Sequence, residues 1–311
     1  MKRFRESDYD RRTFLKAAGA ACALSACPIS GLLKSAEAVE MLPEAEIYPY
    51  PAQHYEKLEG RRVRCTLCPR ECQVDDMERG YCGVRENRGG DYFTLVYGRP
   101  CTMHVDPVEK KPLFHFLPGT EIFSMATVGC NVNCNFCQNW QISQIRPEQE
   151  RSYDAPPEKI VQIAQSYATP SIAHTYTEPV IFYEYVKGVG EEAHKKGLRN
   201  TFISNGYIKE KPLLELLPYL DAVKIDLKAY TEKFYRELVD GELKPVLETL
   251  EHLAKAGMWT EIVYLVIPTH NDDENEIRDM CRWIKTELGA EVPLHFTRFH
   301  PQYKLKTLPP T

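Results

Sequence analysis

The sequence predicts an α/β fold, a parallel sheet or barrel preceded by a small cysteine-rich module, and three observations carry that expectation. After residue 118, short apolar runs rich in β-formers alternate with amphipathic helical stretches. The ends of those runs carry polar residues, Cys130, Glu178, Asn205, Asp226 with Lys228, and His300, as expected where the chemistry of a parallel α/β fold gathers at strand ends. Between residues 39 and 118 the texture changes to prolines, few long periodic runs and four cysteines in "CTLCPRECQVDDMERGYCGVREN". The expected organisation is a signal segment over 1–38, a metal-stapled module over 39–118 and the α/β unit over 119–311.

The first segment opens "MKRFRESDYDRRTFLKAAGAACALSAC", a basic start followed by an alanine-rich run too polar and short to span a bilayer. Arg11-Arg12-Thr13-Phe14-Leu15-Lys16 resembles a twin-arginine signal, with Asp10 where Ser or Thr usually stands. It predicts export of a protein that folded and took up its cofactors in the cytoplasm. Two exits stay open: the small-residue run Ala36–Ala38 resembles a cleavage site, and "LSAC" ending at Cys27 resembles an acylation box.

Six strands are expected, in "EIFSMATVG", "SIAHTYTEP", "LRNTFISNG", "DAVKIDLKAY", "WTEIVYLVIP" and "VPLHFTRFHP". Helices fill the intervals. "PEKIVQIAQSYA" sets Ile160, Ile163, Ala164 and Tyr167 on one face, and "VIFYEYVKGVGEEAHKKG" stops at Gly197. In "DDENEIRDMCRWIKTELG" Cys281 falls with Ile277, Met280, Ile284 and Leu288, which predicts a small buried hydrophobe.

A chain of 311 residues with 43% hydrophobic content can bury a sizeable core, and a net charge of −5 without a basic face argues against a nucleic-acid partner. Cysteine is the outlier, at eleven residues. Cys22 and Cys27 belong to the signal; the nine that remain are an odd number, and spacings such as C-T-L-C and C-N-F-C suit a metal better than long-loop disulfides.

In "TVGCNVNCNFCQNW" the thiols Cys130, Cys134 and Cys137 share a short loop with no histidine in the next thirty residues. A structural zinc site closes with four ligands. Three thiolates on a four-iron cubane leave one iron open, and an open position serves chemistry.

Cys-x-x-x-Cys-x-aromatic-Cys after a first strand resembles the radical S-adenosylmethionine (SAM) enzymes. The resemblance implies a partial (β/α)6 barrel and a [4Fe-4S] cluster whose open iron holds the amino and carboxylate groups of SAM. Reductive cleavage then yields a 5′-deoxyadenosyl radical that abstracts hydrogen from a substrate. Phe136 would pack near the adenine. "YTEP" at Tyr176–Pro179 stands where the superfamily often has Gly-Gly-Glu-Pro, making Glu178 the acceptor for the SAM amino group. "SNG" and "DLK" resemble motifs of glycyl-radical activating enzymes and imply SAM contacts at Ser204, Asn205, Asp226 and Lys228, with His300 beyond the sixth strand as a further site residue. "CTLCPRECQ", "GYCGVREN", "DPVEKKPLFHFLPG", "GCNVNCNFCQNWQISQ", "YTEPVIFYEY", "SNGY", "KIDLKAY" and "HFTRFHP" together resemble the AmmeMemoRadiSam-system radical SAM enzymes, relatives of pyruvate formate-lyase activating enzyme. An electron donor such as flavodoxin or ferredoxin, and a Memo-like or glycyl-radical protein partner, are implied with them. That family normally continues past the sixth strand, whereas this sequence ends at "TLPPT".

Cys65, Cys68, Cys72 and Cys82 supply four thiolates, enough to close either a zinc site or a second iron–sulfur cluster, and coordination number leaves both open. His115 and His295 lie among aromatics and read as core histidines. Two other functions stay in view: an activating enzyme that generates a glycyl radical on a protein partner, and an exported binding protein stapled by zinc or disulfides.

Overall fold

In the computed structural model the described residues are 47–311 together with the backbone of Met41–Leu42. The stretch expected to be a twin-arginine signal, with both of its expected exits, lies outside them. No helix among the described residues is long and apolar enough to cross a membrane. The chain divides into Met1–Ala38 and Val39–Thr311, and the described residues all lie in the second unit.

Short strands build the cysteine-rich region. β1 (Tyr50–Pro51) pairs with β6 (Asp91–Thr94), which pairs with β5 (Arg85–Arg88); β2 (Tyr55–Lys57) pairs with β3 (Val63–Cys65), which pairs with β4 (Gln73–Val74). Too small to enclose a core of their own, these strands and the loops between them lay Val63, Leu67, Val74, Val84 and Tyr92 into the same apolar cluster as Val128, Val180 and Ile181 of the α/β region. Each such fully buried aliphatic contributes roughly 1.5–3 kcal/mol. Arg85, 1% exposed, completes the junction by a bidentate pair with the equally buried Glu184, at 2.8 and 2.9 Å.

Seven strands form the main sheet, in the order β13 (Leu294–Arg298), β12 (Thr260–Val266), β11 (Ala222–Asp226), β10 (Arg199–Ser204), β9 (Ser171–His174), β8 (Glu121–Ala126), β7 (Thr102–Pro107). All six strands expected from the sequence are there and mutually parallel. The antiparallel β7 was not expected; its Pro107, Asp106 and His104 hide a strand that needs pairing on one side only. Strand order from β8 to β13 follows chain order without reversal. Right-handed crossovers therefore carry every helix to one face, and the sheet curls into a partial barrel with β13 and β7 as its edges.

The helices α1 (Pro157–Ser166), α2 (Tyr183–Lys195), α3 (Glu210–Leu216), α4 (Leu243–Lys255) and α5 (Glu274–Trp283) cover the outside. α2 ends as its sequence predicts, at Gly197 in the left-handed region (φ 75°), where the N–H of Leu198 reaches back to Ala193 O. Two facial readings are corrected. Tyr167 lies beyond α1 and is exposed, and Cys281 is exposed because the buried stripe of α5 runs through Met280 and Ile284, one step away. Within the barrel, the loop after β7 packs Val108, Leu113 and Phe116 against Ile122, Ala173 and Ile203, flooring the interior.

Candidate active site

Above that floor, where the parallel strands finish, lies a cavity of about 440 Å³. Period-two alternation aims Ile203 and Asn205 of the β10 end, Lys224, Asp226 and Lys228 of the β11 end, and Val263 and Leu265 of β12 into it. Cys130, Cys134, Phe136 and Cys137 form one wall and Glu178 another. Of the residues expected from the sequence, Cys130, Cys134, Cys137, Phe136, Glu178, Asn205, Asp226 and Lys228 all line this space. Ser204 lies just behind it and donates its hydroxyl to Glu178 Oε1 at 2.7 Å. His300 stays outside: Phe299 takes the inward position at 1% exposure, so alternation turns His300 to solvent.

Gly129 lets the cysteine loop leave β8. Its φ of 97° belongs to the left-handed region, and a Cβ there would meet Val84, the Cys82 carbonyl and Ile181 at 2.8–2.9 Å. Arg70, between Cys68 and Cys72, holds the same loop by donating to Asn131 O at 2.9 Å. Burial pushes the Cys134 thiol up to about 12 and Cys130 well above its ordinary value, so neither is ionised unaided at neutral pH. A bound cation or cluster supplies what these thiols lack, and all three are free of disulfides. The donor set and the adjoining space fit a [4Fe-4S] cluster with SAM beside it.

Glu178 is 2% exposed and held from three sides, with Oε1 accepting from the Val180 N–H at 3.1 Å and from Ser204, and Oε2 from the Asn205 N–H at 2.8 Å, which leaves Oε2 room for one more donor from the cavity. Burial nevertheless pushes its carboxyl up to about 7 against those bonds. Asp226 behaves oppositely. Burial works against its charge, but Lys224, in hydrogen-bond contact, and Lys228, at 3.5 Å, hold it below the usual carboxylate range. Lys228 also stands 5.7 Å from the centre of the Phe136 ring.

Tyr176 resolves a departure from the superfamily pattern. It occupies the first glycine position of Gly-Gly-Glu-Pro and adopts φ 63°, a conformation that costs an ordinary residue roughly 1–2 kcal/mol. Its side chain secures the turn, since the hydroxyl donates to Asp106, Lys111 Nζ lies 4.1 Å over the ring, and Asn139 donates to the Tyr176 carbonyl at 2.7 Å.

Sequence reasoning missed Lys111 and Lys224, both buried in the cavity wall. Lys224 was detectable, because Lys224, Asp226 and Lys228 recur every second residue on the inner face of β11 and its continuation. Lys111 carried no local signal; it arrives from the flooring loop, where burial draws its amine down to about 8 despite Asp106 at 2.6 Å.

The second cysteine group also converges. Cys65, Cys68, Cys72 and Cys82 line a hollow of about 20 Å³ with Arg85, Tyr92 and Asn131, and the Tyr81 N–H points at Cys72 Sγ from 3.4 Å. Burial raises Cys65 and pushes Cys82 up to about 12. His115 and His295 lie away from both groups, on either side of the buried Glu261.

Comparison with known proteins finds related sequences. The sequence model of the Radical SAM superfamily matches residues 125–281. An uncharacterized protein of Methanocaldococcus jannaschii is 44% identical over 260 residues, covering 84% of this chain and 77% of that one. The pyruvate formate-lyase 1-activating enzyme of Escherichia coli is 24% identical over 58% of this chain and 80% of its own. Among solved structures, Streptococcus suis SuiB bound to S-adenosylmethionine superposes with a TM-score of 0.46 and 14% identity, over 58% of this chain and 40% of that one.

Proposed function

The chain belongs to the radical SAM superfamily of enzymes, and on that premise we propose that it cleaves SAM reductively to a 5′-deoxyadenosyl radical that takes hydrogen from a substrate. The observation that carries this reading is the meeting of three free thiols, a buried carboxylate and an Asp–Lys pair on one cavity. Cys130, Cys134 and Cys137 would hold the [4Fe-4S] cluster. Glu178, kept in place by Asn205 and Ser204, would accept the SAM amino group, Lys228 with Asp226 would contact SAM, and Phe136 would pack near the adenine. The reduced cluster, when bound, supplies the electron that breaks the sulfonium bond.

Protein reconstituted without oxygen and reduced by a low-potential donor such as flavodoxin or ferredoxin should release 5′-deoxyadenosine from SAM. Cys134→Ala should release none; full activity in that variant would refute the cluster assignment.

A second reading, activation of a glycyl-radical protein, is favoured by relatives named as activating enzymes for pyruvate formate-lyase, benzylsuccinate synthase and sulfopropanediol dehydratase. The two readings part on whether hydrogen abstraction needs a protein partner. Within either, Cys65, Cys68, Cys72 and Cys82 hold a second, closed metal centre, zinc or iron–sulfur, that stabilises the fold and takes no part in SAM cleavage.

A further inference from the structure

Glu261 is fully buried at the start of β12, and the chain delivers two imidazoles to one of its oxygens. His295 Nε2, from β13, lies 2.7 Å from Oε2, and His115 Nδ1, from the flooring loop, lies 3.3 Å from the same atom. All three ligand atoms fall within 4.8 Å of one another. The other oxygen, Oε1, is held separately by the N–H groups of His115 and Phe116, each at 3.0 Å, and by the Trp259 indole at 3.3 Å. The Phe114 N–H, at 2.9 Å, gives Oε2 its remaining donor. One carboxylate oxygen is thus fixed by donors a metal would not displace, while the other faces two nitrogens. This is the outer support a metal-binding carboxylate needs.

We propose that His115, Glu261 and His295 bind a divalent transition-metal ion, at a site distinct from both cysteine groups. Bonds of about 2.0–2.2 Å from one ion place neighbouring N and O ligands roughly 3–3.5 Å apart. The His115 separation already lies in that range, a shift of His295 by a few tenths of an ångström brings the second pair into it, and the two imidazole nitrogens, within 4.8 Å of each other, draw together as the exposed His115 ring turns toward His295. Two imidazoles and one carboxylate suit Zn²⁺ and its neighbours, whereas Mg²⁺ and Ca²⁺ prefer oxygen alone. Three protein ligands leave at least one position open, and His115, 57% exposed, puts that position within reach of solvent. The loop that brings His115 also brings Lys110, Lys111 and Pro112 to the cavity wall, so the ion would clamp the floor beneath the cavity to β12 and β13.

The test uses the anaerobically reconstituted holoprotein, so that the cysteine sites are filled, and reads metal content without any assay of SAM cleavage. After equilibration with Zn²⁺ and gel filtration, wild-type protein should retain one zinc beyond any present before addition. His115→Ala, an exposed change that leaves the core intact, should weaken Zn²⁺ binding by at least about 100-fold, more than loss of an outer-shell partner costs. Iron and sulfide content should not move. His295→Ala should behave the same way. Zinc retained equally by wild type and both variants, or by none of them, would overturn the site.

Discussion

Cys130, Cys134 and Cys137 border a cavity of about 440 Å³, whereas Cys65, Cys68, Cys72 and Cys82 enclose a hollow of about 20 Å³. The two groups are back to back: Gly129 leaves no room for a Cβ against the Cys82 carbonyl, and Arg70 from one loop grips Asn131 of the other. Their surroundings differ as sharply as their volumes. The open group faces Glu178, Asp226 and Lys228 at the ends of parallel strands, where groups can meet a ligand from several directions. The closed group is walled by Arg85, Tyr92, Val180 and Ile181, side chains already committed to packing. Thiol number and surrounding volume together set the two groups apart: three thiols beside open space, four around almost none.

The strongest attempt to break this contrast compares Cys134→Ala with Cys68→Ala. The first should abolish 5′-deoxyadenosine formation in a chain that stays folded; the second should preserve the chemistry per intact molecule while leaving residues 47–118 open to proteolysis. Equal loss of cleavage in both would mean the groups share one function.

Next in size is the buried pair behind the closed group. Arg85→Met leaves the Glu184 carboxylate buried without its partner and should cost about 3–5 kcal/mol in anaerobic denaturation, with Glu184→Leu added to it restoring most of the loss. Stability untouched by Arg85→Met would show that the module is not anchored through this pair.

On the open side, His174 ends the strand that leads to Glu178. It is fully buried, its Nε2 donates to Asn200 Oδ1 at 2.8 Å, and burial lowers it from 6.5 to about 4. The unfolded chain therefore takes up this proton first as pH falls. Stability tied to the neutral ring is present above pH 6.5 and lost progressively down to about 4, a total of about 3 kcal/mol. His174→Gln should flatten that part of the stability–pH profile, measured by urea unfolding; an unchanged slope would assign acid sensitivity elsewhere.

The smallest effect sharpens the open site itself. Glu178→Gln keeps the size of the side chain and removes its charge, so SAM binding should weaken by about 10-fold, the scale of one charge-assisted hydrogen bond. Iron content should be unchanged, and an equal fall in iron would mark Glu178 as a folding residue.

Much of this was legible before folding. Six strands showed in their apolar runs, and the cysteine spacings, the Glu178 turn and the Asp226–Lys228 pair are local patterns whose residues lie near the strand ends that expose them. Strand β7 was not legible, because Pro107 and two polar neighbours suppress the pattern in a strand that pairs on one side only. Cys281 misled because a helical stripe has a width that spacing does not define.

By itself the sequence determined the two cysteine groups, the Glu178 turn, the Asp226–Lys228 pair and the six strands near them, since each depends on residues close together in the chain. Only the tertiary structure decided that Lys111 would reach the cavity, that Tyr176 would hold a turn usually given to glycine, and that His115 would meet Glu261 and His295. Those meetings join residues up to 180 positions apart. They arise when the loop after β7 is driven under the barrel to cover Ile122, Ala173 and Ile203. Burial of apolar surface is non-directional and leaves no local signature, so the contacts it enforces appear only once the whole sheet has curled.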